Sequence, residues 1–328
     1  MKFARWGALT GVVAVVCSTL MVSCGGCGRA SKQGIYVDPA FGPLIPPDTR
    51  LMAGVRLDKL RETSLYKKLN SSVDIQRHLD LFSQRTGLDP RKDLWQVVLV
   101  SNGSRSLVFA RGRFTVGEME PKLGALGSER QHYKDYTLIG NPQTSVVFLN
   151  PGVAVAGSRA ALKELIDHRA EYREMPVSFS KKLASMPSDD QIWAVDDGVL
   201  QQQQQNNTPD ATGMRSMVSN LVGFVKTSSV GVHIGDSAII KGEIDCVSNE
   251  GAQRVRDALK GGVGLARLNT RSDQMEMLRL YDAIKINQAD TKVTLDADVG
   301  SDLIEQFMKL MPAIRGGANS HLQELIPK

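Results

Sequence analysis

The chain has 328 residues, 42% hydrophobic and 23% charged, with 40 Lys and Arg against 35 Asp and Glu for a formal net charge of +5. Its mean hydropathy is −0.18. Such a composition excludes a disordered polyelectrolyte, a collagen, a disulfide-dense miniprotein and a multi-span membrane protein, and the length suits two domains of roughly 100–200 residues each.

Lys2 and Arg5 precede an apolar run from Trp6 to Val22, the form of a secretory signal peptide over residues 1–23. The run is barely long enough to span a membrane core of ~30 Å, and Gly25, Gly26 and Gly28 follow it, which argues against a transmembrane anchor. Its end, Met21-Val22-Ser23-Cys24-Gly25, resembles the bacterial lipobox, with Met21 in the place usually held by Leu. The resemblance implies cleavage before Cys24 and lipid attachment to that cysteine. Gly25, where an Asp would imply retention in the inner membrane, leans toward the outer one. Residues 24–47 are rich in Gly and Pro (Pro39, Pro43, Pro46, Pro47) and read as a lipidated tether.

From Asp48 the pattern becomes regular. Leu51–Leu57 reads as a strand and 58–85 as helical, marked by Leu60, Leu65, Leu69, Leu79 and Phe82. Leu94–Val100 and Ser106–Phe114 form a strand pair around the hairpin signal Asn102-Gly103. A helix at about 116–126 follows. Tyr136–Gly140, Ser145–Asn150 and Val153–Ala156 are strands, and Ser158 caps a helix to about Arg169.

The second half gives a similar order. Gln191–Val195 is a strand and 214–226 is helical through Met217, Leu221, Val222 and Val225. Val230–Ile234 and Ala238–Cys246 pair across Gly235-Asp236. In the latter strand Ala238, Ile240, Gly242, Ile244 and Cys246 alternate inward, with Ile239, Lys241, Glu243 and Asp245 outward. Ser248 caps a helix to about Leu268, a further helix covers 272–282, and Ile284–Asn287 and Lys292–Asp298 are the last strand pair. Ser301 opens a helix to about Leu310. Both halves read βα-ββ-α-ββ-α. The expectation is an α+β protein of two tandem repeats, 48–187 and 188–328, with antiparallel sheets and helices packed on one face. The halves differ in charge: 48–187 holds 22 Lys and Arg against 15 Asp and Glu, and 188–328 holds 14 against 19. The basic half is expected nearer an anionic leaflet. The acidic half, with Asp196, Asp197, Asp296 and Asp298, is expected to face a partner.

Catalytic signatures are sparse. His78, His132, His168, His233 and His321 show no metal-ligand spacing and read as surface residues, and there is no nucleophile elbow or Walker loop. Gly262-Val263-Gly264 brushes a dinucleotide fingerprint but follows a helix and lacks the third Gly, so it reads as a close helix contact or kink. Asp296 and Asp298, on one strand face by period 2, are the best carboxylate pair for acid–base work or a cation. Ser101–Ser104 and Arg111–Arg113 offer anion donors. Gln201–Pro209 is a polar loop. Cys246 reads as a buried small residue, although a bridge to Cys27 is open. Aromatics at 5%, without an interleaved basic patch, argue against nucleic acid.

The run Ile45-Pro46-Pro47-Asp48-Thr49-Arg50-Leu51 with Leu57–Tyr66 resembles the opening of uncharacterised bacterial envelope lipoproteins, which begin with a Pro-x-Asp-Thr strand–helix unit. The resemblance implies a location and a build. The resulting expectation is a non-enzymatic envelope lipoprotein, without cofactor or metal, that binds or scaffolds a partner such as an envelope protein. The alternatives are an envelope hydrolase or transferase using Asp296 and Asp298, and a carrier of an apolar ligand.

Overall fold

Among the described residues twelve strands, most of them with alternating apolar side chains, join by hydrogen bonding into one antiparallel sheet. The computed structural model describes residues 34–70, 73–125, 128–199, 221–271 and 274–304. The first seven strands are β1 (Leu51–Arg56), β2 (Leu94–Ser101), β3 (Ser106–Gly112), β4 (Arg130–Tyr133), β5 (Tyr136–Gly140), β6 (Ser145–Asn150) and β7 (Val153–Gly157). The others are β8 (Ile192–Asp196), β9 (Val225–Ile234), β10 (Ser237–Cys246), β11 (Ile284–Ala289) and β12 (Lys292–Gly300). Their order across the sheet is β11-β12-β10-β9-β8-β1-β2-β3-β7-β6-β5-β4. The two halves of the chain meet where β1 pairs with β8, with Met52 opposite Val195 and Gly54 opposite Trp193. The expected separate sheets are therefore one.

The helices are α1 (Leu57–Leu60), α2 (Ser64–Asn70), α3 (Val73–Thr86), α4 (Val116–Ala125), α5 (Arg159–His168), α6 (Val177–Ser185), α7 (Asn249–Asn269) and α8 (Met275–Ala283). They cover both faces, which corrects the expectation of one. On one face Met52, Val98, Phe109, Val155 and Trp193 form the largest core with Leu162 and Leu165 of α5 and Phe179 and Leu183 of α6. On the opposite face Val225, Cys246, Ile286 and Val293 pack against Ala252 and Val255 of α7. That same opposite face carries Ala154 against Met119 of α4. The first half thus buries both sides of the sheet, while β9 to β12 pack their apolar residues on the opposite one, and a side chain's direction along a strand decides which core it joins.

Local chemistry explains the boundaries. Asn102 Oδ1 accepts from the backbone N–H of Ser104 (3.0 Å) and Arg105 (2.8 Å), and Gly103 takes φ +94°, closing the β2–β3 hairpin as its sequence predicts. Ser158 and Ser248 cap α5 and α7 through the N–H groups of Ala161 (3.2 Å) and Gly251 (3.1 Å). The helical stretch 58–85 breaks after α1, where Thr63 Oγ1 accepts from Tyr66 N–H and opens α2. Val225, read as helical, instead begins β9; the rest of that expected helix up to 220 lies outside the described residues, as do Gln201–Pro209.

Residues 34–47 do not form the linker that their composition suggests. Ile35, Phe41 and Ile45 are buried in the largest core, and Gln96 of β2 holds the segment by donating to Tyr36 O (2.8 Å) and accepting from Asp38 N–H (2.7 Å). Residues 34–47 are thus part of the folded body. Gly261, Gly262 and Gly264 sit inside α7, and among the described residues nothing lies within 4 Å of where a Cβ would be, so the close contact, one of the two readings of Gly262 and Gly264, is not formed there. Among the described residues no helix is long and apolar enough to cross a membrane.

Candidate functional site

The face that is apolar in the first half turns polar in the second. Cross-strand pairing lines up Gly231 of β9, Lys241 of β10 and Asp296 of β12 in one row, and Ser229, Glu243 and Thr294 in the next. Helix α6, held down by its buried Phe179 and Leu183, stands beside these rows. Between them runs a groove of about 210 Å³, lined also by Lys182, Ser185, Met186, Pro187 and Asp190. A second hollow of about 260 Å³ lies on the other side of Lys182, toward Asp197 and Thr227.

A charge network fixes the groove wall. The Lys182 ammonium donates to Glu243 and, at 3.1 Å, to Asp245. Lys292 reaches Glu243 at 3.0 Å, and Thr227 Oγ1 donates to Asp245 at 2.9 Å. Burial alone would raise both carboxyl pKa values, but hydrogen bonds from Lys182, joined by Lys292 on Glu243 and Thr227 on Asp245, hold both below the ordinary range. Burial likewise disfavours the Lys182 ammonium, and its two acidic partners overcome this and raise its pKa. The side chains hold one another in these positions.

At the groove's end the chain bends through Asp189 and Asp190 into β8. Asp190 is 6% exposed, and among the described residues its Oδ2 has no hydrogen-bond partner. The carboxyl fits because its neighbour is Gly231: a Cβ there would lie 2.8 Å from Asp190 Cγ. Burial, helped by the Asp189 charge, pushes the Asp190 pKa up to about 6, against the opposing pull of His233 and Lys241. His233 Nδ1 lies 3.3 Å from Asp189 Oδ2. One ligand atom from each of Asp189, Asp190 and His233 falls within 4.8 Å of the others. Sequence spacing hides this cluster, because His233 joins it only through the β8–β9 ladder.

The residues singled out by sequence fare differently. Asp296 and Asp298 share a strand face as expected, but only Asp296, half-buried, lines the groove; Asp298 is exposed and opposite Ile239. The carboxyl that burial raises at this groove is that of Asp190. Asp196 is buried, its carboxylate accepting from the N–H groups of Gly198 (3.3 Å) and Val199 (3.0 Å). Arg111 and Arg113 pair with Asp38 and Asp93, which occupies the suspected anion donors. Cys246 is buried, and burial pushes its thiol pKa up. Cys24 and Cys27 lie outside the described residues. The largest of these hollows, about 520 Å³, opens between Tyr36, Arg56, Asp58 and Trp95, and its charges are internally matched: Arg56 donates twice to Asp58 and Asp38 pairs with Arg111.

The chain is similar in structure to TP0453. Crystal form I of that protein aligns at a TM-score of 0.44 and 10% identity, over 83% of this chain and 97% of that one. Form III aligns at 0.48 and 8%, over 82% and 96%, and form IV at 0.46 and 8%, over 86% and 99%. No family model matches the chain, and no curated protein matches it significantly.

Proposed function

We propose that this protein is an exported bacterial envelope lipoprotein, anchored through Cys24, that binds or scaffolds a partner without catalysing a reaction. The lipobox-like Met21–Gly25 and the apolar run before it support the address, with the outer membrane slightly favoured. The observation that carries the binding role is the groove between α6 and β9, β10 and β12. Its mixed charges are held in place by the Lys182–Glu243–Asp245–Lys292 network, so a polar partner meets a surface whose ordering entropy is already spent. An envelope protein segment with its own mixed charges fits such a lining; the relation to envelope lipoproteins that open on Pro-x-Asp-Thr belongs to the same reading.

The tandem repeat is part of the proposal. Outward from the sheet centre the first half runs β1-β2-β3-β7-β6, and the second runs β8-β9-β10-β12-β11. These orders correspond strand for strand, with β4 and β5 as an addition at the first half's edge. This supports duplication of one β-ββ-ββ unit joined edge to edge.

A photo-crosslinking residue placed at Ser185 of the full chain, in cells, tests the binding role. The reading expects a discrete adduct that disappears with Lys241→Glu and persists with an exposed change far from the groove, such as Lys134→Glu. No adduct, or one indifferent to Lys241→Glu, would remove the groove as the binding surface.

A further inference from the structure

We propose that Asp189, Asp190 and His233 form a binding site for a first-row divalent transition-metal ion of the Zn2+ type. The geometry comes first: two carboxylates and an imidazole offer ligand atoms within 4.8 Å of one another. The second, independent observation is the Asp190 carboxylate, 6% exposed, with Oδ2 lacking a hydrogen-bond donor among the described residues. A buried carboxylate oxygen without a donor is costly, and such groups call for a missing partner. A cation set among Asp189, Asp190 and His233 supplies it.

The scaffold around the cluster holds it in place. Gln191 N–H donates to Val232 O at 3.0 Å, locking the entry of β8 to β9. The Gln191 side chain then accepts from Ile234 N–H at 2.7 Å and donates to Ile234 O at 3.2 Å. The backbones bearing Asp190 and His233 are thereby clamped on both sides of the site, the supporting layer that metal ligands need. Gly231 leaves room for the Asp190 carboxyl. Asp189 and His233 are partly open to solvent, with side chains 66% and 34% exposed, so water can complete a tetrahedral or larger shell. An imidazole in the set favours Zn2+, Co2+ or Ni2+ over Ca2+ and Mg2+, which prefer oxygen alone. Lys241, across from Gly231, is the opposing charge; it is exposed, and its long stem lets the ammonium turn to water. The site adjoins the groove and does not depend on what binds there.

The test uses the purified full chain, stripped with EDTA and exchanged into chelator-free buffer, and titrated calorimetrically with Zn2+. Co2+ then serves as an absorbing probe. The expected result is a saturable Zn2+ site weakened at least roughly tenfold by Asp190→Asn and by His233→Gln, as loss of a ligand or its support typically does. Co2+ should show ligand-field bands that both substitutions remove, and His321→Gln should leave binding unchanged. Circular dichroism and melting in EDTA verify that each variant is folded; His233→Gln, at a partly open position, keeps the test intact if Asp190→Asn does not fold. Absence of saturable Zn2+ uptake, uptake equally strong in the folded variants, or a site that takes Ca2+ and not Zn2+ would overturn the proposal.

Discussion

The indole of Trp193 occupies the space that a side chain at Gly54 would need. The two residues are cross-strand partners in β8 and β1, and a Cβ on residue 54 would lie 2.6 Å from Trp193 Cε2. Trp193 is 1% exposed and sits where the two halves of the chain join. Gly54→Ala should therefore cost about 1–3 kcal/mol through overpacking, and Trp193→Ala about 3–5 kcal/mol through the cavity it leaves. Trp193→Phe should cost less than Trp193→Ala, because the phenyl ring refills most of the space the indole leaves. Urea unfolding of the three variants measures this. A Gly54→Ala protein as stable as wild type would mean that the ring does not lie against β1.

Lys182 gives the pH dependence. Glu243 and Asp245 have lowered folded-state pKa values, so their contribution is present above the ordinary carboxylate range, about 4, and is lost as pH falls through the folded values. Lys182→Met should destabilise at neutral pH by about 1–2 kcal/mol, discounted because the acids are about one-third exposed. The gap to wild type should narrow at pH values below about 4. Melting temperatures across that range check it, and a gap independent of pH would assign Lys182 a packing role only.

Helix α7 can be improved. With open space around Gly261, Gly262 and Gly264, each Gly→Ala change should stabilise by about 0.5–1 kcal/mol through helix propensity. Leu265 and Leu268 nearby are 64% and 81% exposed, in keeping with an uncrowded surface there. Thermal unfolding of the triple variant measures the sum; a loss of stability would show that these positions are packed against something.

Phe41 tests where the folded body begins. It is fully buried, with its ring 5.8 Å from that of Phe109. Phe41→Ala should cost about 3–5 kcal/mol, measured by the urea midpoint. A free tether would leave that midpoint unmoved.

Much of this fold is legible in the sequence because period and turn chemistry are local. Asn102-Gly103, the capping residues Ser158 and Ser248, and the alternation of Ala238–Cys246 all form what they encode. What escaped reading depends on distant partners. Proline and glycine make 34–47 look like linker, yet Ile35, Phe41 and Ile45 find an apolar face already built by β1, β2 and β3. The short β4 and helix α6 carry too few apolar residues to announce themselves. Gly54 and Gly231 look like breaks in strands until Trp193 and Asp190 are seen to fill their places. The candidate site was least legible, since Asp189, Asp190 and His233 share no motif and meet only through strand pairing.

Attachment through Cys24 is the central proposal, and mass spectrometry of the N-terminal peptide from bacterial membranes tests it most directly. The account predicts a chain beginning at Cys24 and carrying acyl mass, and a Cys24→Ala variant that is unacylated and leaves the membrane fraction. A membrane-bound chain that still begins at Met1, with Cys24 unmodified, would contradict it and make Trp6–Val22 the anchor.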